Sequence, residues 1–312
     1  MTVISSPGTL ENIALYSPGD ANSLDVLYAQ AAKRARAGSS GFYFATRCFP
    51  LDLARSAHAV HWYCSYTREL GRQAATPDQS RADLDQWASM TTAGLRGRLA
   101  RHPVLDVFLD AVDQRGIPHD YPLELIEGVR MDLDQARYLS FSQLRGLCSR
   151  IGGVVSLMMT HVVGFRDPAL DYMADLGLAI ELTTRLRDTG EHLARGRIYL
   201  PQEEMESFGY SEPDLAGQVR NEAFERLMRF QAERAHNYYR KAEPGLKLLD
   251  QRGRFAAKVA FDLYRQTLRR IEASGFNVFR RRPAMPAVER YWITARSMAG
   301  PITRRIWRAM SA

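Results

Sequence analysis

The stretch DLGLAIELTTRLRDTGEHLARGRIYLP, which runs from Asp175 to Pro201, decides the fold of this chain. Its first part carries apolar residues three and four positions apart, the spacing of one face of an α-helix. A basic turn around Gly196 and Arg197 follows, and a short apolar segment ends at the proline. The stretch therefore predicts a long helix that is followed by a tight turn.

Helical spacing is also the common pattern of the rest of the chain. With 312 residues, of which 46% are hydrophobic, the chain can bury a large core. No stretch resembles a linker, and no run alternates as a half-buried strand does. We predict one all-α domain over residues 1–312, with roughly ten or more helices. The clearest helical segments are residues 51–70, 141–165, 171–193 and 254–274.

Positive charge is concentrated at the end of the sequence. Residues 280–312 hold eight arginines and one acid, Glu289, so this basic amphipathic tail accounts for the whole net charge of +7. Arginine mixed with Trp292, Ile293 and Trp307 suits peripheral contact with an anionic membrane. The alternative is a terminal helix packed on the body with a solvated arginine face. Nucleic acid is not expected as a partner, because no binding motif accompanies the charge.

We expect the protein to be cytoplasmic, with its basic tail as the segment that would contact a membrane surface. The sequence begins without the order of charged, apolar and small residues that marks a signal peptide. The three cysteines stand far apart, as free thiols of a cytoplasmic protein do.

Five segments of the chain resemble squalene and phytoene synthases, the head-to-head prenyl transferases. The resemblance covers roughly residues 38–283, in the family's order and spacing. It implies the all-α isoprenoid-synthase bundle around a central cavity, which in the family holds two prenyl diphosphates. The matching segments are residues 39–50, 125–133, 151–158, 175–201 and 254–281.

The resemblance also implies a set of site residues. Asp188 and Glu191 stand where the second aspartate-rich motif binds metal, and Tyr264 is retained as a third catalytic position. Some positions differ from the usual family residues: Glu181 stands for glutamine, Thr184 for asparagine and His192 for aspartate. The remaining implied contacts to substrate are Tyr43, Arg197 and Arg281.

The first aspartate-rich motif departs most from the family pattern. Residues 64–72 read CSYTRELGR, with Arg68 and Arg72 where two metal-binding aspartates are usual, and Ser65 where an arginine is usual. Mg²⁺ requires oxygen ligands, and arginine stays protonated in proteins. We therefore do not expect a full Mg²⁺ cluster or ordinary squalene or phytoene synthase activity. At most one ion would bind weakly, at Asp188 and Glu191.

Three interpretations follow from these substitutions. In the first, Arg68 and Arg72 bind a prenyl diphosphate or a related apolar anion directly, because a guanidinium pairs with phosphate oxygens through two hydrogen bonds. In the second, both arginines form salt bridges with Glu181, Asp188 and Glu191, and the protein is a catalytically silent binding or assembly partner. In the third, His61 and His192 join Asp188 and Glu181 around a different metal, since histidine and carboxylate suit zinc or iron.

Overall fold

The computed structural model describes residues 21–38, 40–73, 76–279 and 293. Arg281 and the remainder of the basic tail, apart from Ile293, lie outside the described residues. The described part consists of fourteen α-helices with one π-helical and one 3₁₀ segment. The elements are α1 Ala21–Gly38, α2 Ser40–Thr46, α3 Leu51–Gln73, α4 Pro77–Leu95, α5 Pro103–Arg115, α6 Asp120–Asp134, α7 Phe141–Cys148, the π segment Ser149–Gly153, α8 Val154–Val163, α9 Ala169–Arg187, α10 Thr189–Ala194, α11 Gln202–Ser207, α12 Glu212–Ala216, α13 Glu222–Ala242, the 3₁₀ segment Glu243–Leu248 and α14 Gln251–Ala273.

Two large apolar cores hold most of these helices together, and a third, small cluster lies around Ala45 and Val259. In the first, α3 packs against α1, α4, α5 and α6, with the stacked rings of Tyr63 and Phe108 at 3.9 Å in its centre. In the second, α9 packs against α8, α13 and α14, and Tyr239 and Phe261 meet edge to face. Burial of large aromatic side chains supplies much of the stability of such cores. The predicted all-α architecture is confirmed.

The long helix predicted over residues 171–193 is interrupted. Helix α9 ends at Arg187, and α10 begins at Thr189. Asp188 lies between them with φ −100° and ψ 16°, outside helical geometry. The single-helix prediction was therefore wrong at this point, and the break turns the backbone at the first of the two retained acidic residues.

Helix α7, the π segment and α8 form one continuous helix, Phe141–Val163. By length and composition it could cross a membrane, and 56% of its apolar window is buried inside the protein. It packs against α6 and α9 within the bundle, as a core helix of a globular protein does.

A pair of glycines brings this helix against α9. A Cβ atom on Gly152 would lie 2.5 Å from the carbonyl oxygen of Gly177 and 2.6 Å from the Cβ of Glu181. Only residues without side chains fit at such a backbone contact. The contact places the π segment beside Glu181. In proteins generally, π-helical turns are often found at functional sites.

Candidate functional site

A cavity of about 1020 Å³ lies between α2, α3, α8, α9, α10 and α14. Its polar end is formed by the last turns of α3 and α9 together with α10, which carry arginines and acids. The opposite end is apolar and includes Phe49, Val163, Leu249 and Ala256. The cavity thus combines a charged mouth with an apolar depth, the usual design of a site for an amphipathic ligand.

Most of the residues predicted for the site line this cavity. They come from α3, α9, α10 and α14 and from the junction between α9 and α10. The eight are Arg68, Arg72, Glu181, Thr184, Asp188, Glu191, His192 and Tyr264.

Arg197 does not line the cavity. Its guanidinium caps the end of α6 by donating to the carbonyl oxygens of Asp132, Leu133 and Gln135, the last two at 3.2 and 3.3 Å. It also lies 3.8 Å from the Asp132 carboxylate. The structure therefore gives Arg197 a role in holding the turn after α10 against α6.

Tyr43 is also absent from the lining of the cavity. Its ring stacks on His58 at 5.7 Å. The neighbouring Phe42 lines the cavity instead and stacks on His61 at 4.4 Å. Adjacent side chains on a helix point in different directions, so Phe42 borders the cavity and Tyr43 does not.

Each acid of the second motif has an arginine partner from its own part of the chain. Asp188 accepts two hydrogen bonds from Arg187, at 2.8 and 2.7 Å. Glu191 accepts one from Arg195 at 3.1 Å. Both carboxylates are therefore engaged by guanidinium groups from their own helical segment.

Glu181 is paired with Arg185, a residue that our sequence analysis did not single out. The Arg185 Nε lies 2.8 Å from the Glu181 carboxylate, and the guanidinium sits 3.7 Å from Asp132 and 3.9 Å above the ring of Tyr199. Burial would lower the pKa of Arg185, but the carboxylates of Glu181 and Asp132 hold it above its usual value. The spacing of four residues from Glu181 is the signal that could have identified this pair.

Arg68 is anchored across the polar end. Its Nη2 donates to the carbonyl oxygen of Ile151 in the π segment at 3.1 Å and lies 3.9 Å from Glu181. Its Nε is buried, with no hydrogen-bond partner among the described residues. The side chain as a whole is 30% exposed, so another part of it remains accessible to a ligand in the cavity.

Arg72 is the more solvent-exposed of the two arginines, although enough protein surrounds its guanidinium to desolvate it in part. Among the described residues, no carboxylate lies within 4.0 Å of its guanidinium. Burial by the surrounding protein, followed by repulsion from Arg68 and Arg185, lowers its pKa. An anion bound beside Arg72 would offset this repulsion and stabilise the charged guanidinium.

The histidines near the site are neutral. Burial, with smaller effects from Arg68 and His58, lowers the pKa of His61 to about 4. Burial, with Arg185 as the next cause, lowers that of His192 to about 4. At neutral pH the polar end therefore takes its positive charge from arginine alone.

The family model described as squalene/phytoene synthase matches residues 35–289. The 15-cis-phytoene synthase of Synechocystis sp. is 36% identical over 266 residues, which cover 78% of this chain and 76% of that protein. The 15-cis-phytoene synthase of Synechococcus elongatus is 35% identical over 286 residues, covering 85% of this chain and 90% of that protein. The chain belongs to the squalene/phytoene synthase family.

Solved structures show the same fold for this family member. A dehydrosqualene synthase in complex with a ligand superposes with a TM-score of 0.84 at 23% identity, covering 90% of this chain and 99% of that one. A squalene synthase from Alicyclobacillus acidocaldarius gives 0.75 at 21% identity, covering 82% and 97%. The predicted isoprenoid-synthase bundle is confirmed.

The Mg²⁺ cluster implied by the family does not fit the residues of this member. In the described part of the chain, no three His, Cys, Asp or Glu side chains are grouped so that they could hold a metal ion. The α3 side offers Arg68, Arg72 and a single acid, Glu69, and on the other side arginines already occupy the carboxylates. The same geometry does not assemble His61, His192, Asp188 and Glu181 around another metal.

Proposed function

We propose that this squalene/phytoene synthase family member binds or transforms a prenyl diphosphate through an arginine site that replaces most of the metal cluster. The observation that carries the proposal is Arg72, which borders the polar end of a large cavity without a carboxylate partner among the described residues. Membership of a family whose relatives are named phytoene synthases supports an isoprenoid ligand.

The chemistry of the head group agrees with this assignment. A planar guanidinium binds phosphate oxygens through paired hydrogen bonds and stays charged at every relevant pH. A bound anion between Arg68 and Arg72 would remove the repulsion between them. The isoprenoid chain would lie along the apolar end of the cavity, with Tyr264 on its α14 wall.

Binding of farnesyl and geranylgeranyl diphosphate in EDTA tests the proposal. We expect wild-type protein to bind in EDTA, as measured by titration calorimetry, and Arg72→Ala to bind much more weakly. Arg98→Ala is the matched control, because Arg98 is exposed between α4 and α5, away from the cavity. Absence of binding in both EDTA and Mg²⁺ would remove the proposal, and binding only in Mg²⁺ would restore the metal as the main ligand of the head group.

A second candidate is a catalytically silent binding or assembly partner. The contact that favours it is the 3.9 Å approach of Arg68 to Glu181, which joins the two helices across the cavity. In that case Arg68→Ala would lower folding stability, and neither wild type nor variant would bind an isoprenoid diphosphate. Folding stability and binding of the diphosphate, measured on the same protein preparation, distinguish the two candidate functions.

We further propose that the basic tail brings the protein to anionic membranes, from the cytoplasmic side. The arginines of residues 280–312 support this, and each would contribute about 1 kcal/mol near such a surface. Within the described residues, Ile293 is buried with Ala45, Val259 and Leu263, which supports packing of at least this residue on the body. Co-sedimentation with anionic vesicles should weaken sharply with salt, whereas equal binding to neutral vesicles would contradict the electrostatic attachment.

A further inference from the structure

The charges that line the cavity set a limit on how many diphosphates it accepts. Among the described residues, six arginines and four acids line it, which gives a net charge of +2 with the histidines neutral. The arginines are Arg34, Arg68, Arg72, Arg185, Arg187 and Arg195. The acids are Glu69, Glu181, Asp188 and Glu191.

One diphosphate nearly balances this charge, and two do not. A diphosphate monoester carries roughly −3 near neutral pH, because its terminal phosphate loses a second proton near pH 6. A second head group would leave the polar end strongly negative, and no cluster of carboxylates is present in the described part of the chain to bring in divalent cations. Like charges enclosed in a cavity repel strongly because water screens them poorly.

A small pocket behind the two α3 arginines suggests where the terminal phosphate lies. It measures about 40 Å³ and shares Arg68, Arg72, His192 and Arg195 with the main cavity. Its one acid, Asp132, is already held by Arg185, Arg197 and the Tyr199 hydroxyl, the last at 2.6 Å. The volume is roughly three times the minimum that one water needs, so it suits a compact polar group and excludes an isoprenoid chain.

From these observations we propose that the cavity takes a single prenyl diphosphate per chain. Its terminal phosphate lies at Arg72 and the small pocket, and its chain lies in the apolar end. The inference rests on the proposed function and narrows it. The resemblance implies two diphosphates side by side, as head-to-head coupling requires, whereas this site is arranged for one.

The number of ligands bound per chain is the first test. Titration calorimetry of the full chain with farnesyl diphosphate, in EDTA and again in Mg²⁺, should give one site per chain in both conditions. Two sites in either condition would overturn the inference and leave the proposed function standing. Complete absence of binding would instead remove the proposed function itself.

Discrimination between one and two phosphates is the second test. Farnesyl diphosphate should bind at least tenfold more tightly than farnesyl monophosphate, and pyrophosphate should displace it far better than inorganic phosphate. Arg72→Gln should remove most of this preference, Arg72→Lys should keep part of it, and Arg98→Gln should keep all of it. Equal affinity of wild-type protein for the monophosphate and the diphosphate would contradict the terminal-phosphate pocket, and the wild-type competition needs no variant to fold.

Discussion

Two helical faces meet at the polar end of the cavity, and they carry their charges differently. On the α9–α10 side, Glu181, Asp188 and Glu191 are each paired with an arginine one or four residues away. On the α3 side, Arg68 reaches across to Ile151 and Glu181, and Arg72 has no carboxylate partner among the described residues. The first face is neutralised within itself, whereas the second keeps positive charge that a ligand can use.

This difference is the basis of the proposal that arginines take the place of most of the metal cluster at this site. In a metal cluster the acids of both helices are joined by cations. Here local arginines supply the positive charge for one helix, and the facing helix presents arginines of its own. Ion pairs of this kind need not add stability, since desolvation offsets much of their attraction, but loss of one partner leaves a buried charge behind.

The largest expected effect is on folding stability, and it comes from the α9–α10 side, whose acids pair with arginines of the same segment. Arg185→Gln should lower the free energy of unfolding by about 3–5 kcal/mol, because it leaves the buried Glu181 carboxylate without its nearest cation, while Asp132 keeps Arg197 and Tyr199. Urea denaturation at neutral pH measures this, with the exposed Arg98→Gln as the control. A loss below about 1 kcal/mol, the range of surface ion pairs, would show that this face does not depend on its own arginine.

The next effect is on the ligand-facing side. Arg72→Ala should weaken binding of farnesyl diphosphate by about 3 kcal/mol, as truncation of one member of a charge pair does. Its folding stability should stay the same or rise, because the variant relieves repulsion with Arg68 and Arg185. Calorimetry and urea denaturation on the same protein separate the two quantities. A large loss of stability with unchanged binding would show that Arg72 supports the fold and does not bind the ligand.

The sequence predicted the fold because helical periodicity and the segment from Asp175 to Pro201 depend on local spacing. One of the three interpretations paired both arginines with Glu181, Asp188 and Glu191. Of these pairs the structure has only the approach of Arg68 to Glu181, at 3.9 Å, among the described residues. The sequence did not predict the ion pair between Glu181 and Arg185, because the motif comparison considered only the positions that bind metal or substrate in the family, and Arg185 is not one of them. The break at Asp188 was missed for a similar reason, as apolar spacing continues through it.

The positions of Arg197 and Tyr43 could not be obtained from motif matching alone. Arg197 belongs to a conspicuous basic turn, yet the free carbonyl groups at the end of α6 hold its side chain. Tyr43 and Phe42 are adjacent, and only the rotation of α2 places Phe42 on the cavity. Both depend on tertiary packing, which a match of residue types does not encode.

A smaller effect concerns the pH response of α3. Burial lowers the pKa of His58 from 6.5 to about 4, so the folded protein keeps this histidine neutral. As pH falls from about 6.5 to 4, the unfolded chain takes up a proton that the folded chain does not, and stability decreases. Below about pH 4 the folded state also protonates and the loss levels off. At pH 5 the loss due to His58 should be about 1–2 kcal/mol.

Urea denaturation at pH 7 and pH 5 measures this loss. His58→Gln should reduce the difference between the two pH values, while His119→Gln, at an exposed position before α6, should leave it unchanged. An identical pH response in wild type and His58→Gln would show that burial of this histidine contributes no pH dependence.

The smallest expected effect is that of Mg²⁺ on ligand binding. Asp188 already accepts two hydrogen bonds from Arg187 and Glu191 one from Arg195, so an ion would have to displace guanidinium groups before it could bind. The dissociation constant of farnesyl diphosphate should therefore change by less than about threefold, or about 0.7 kcal/mol, between EDTA and Mg²⁺. NaCl at equal ionic strength is the control, because added salt weakens charge attraction without any specific site. A tenfold tightening by Mg²⁺ that Asp188→Asn abolishes would show that the α9–α10 face still holds an ion, and that its arginines yield to metal when the diphosphate arrives.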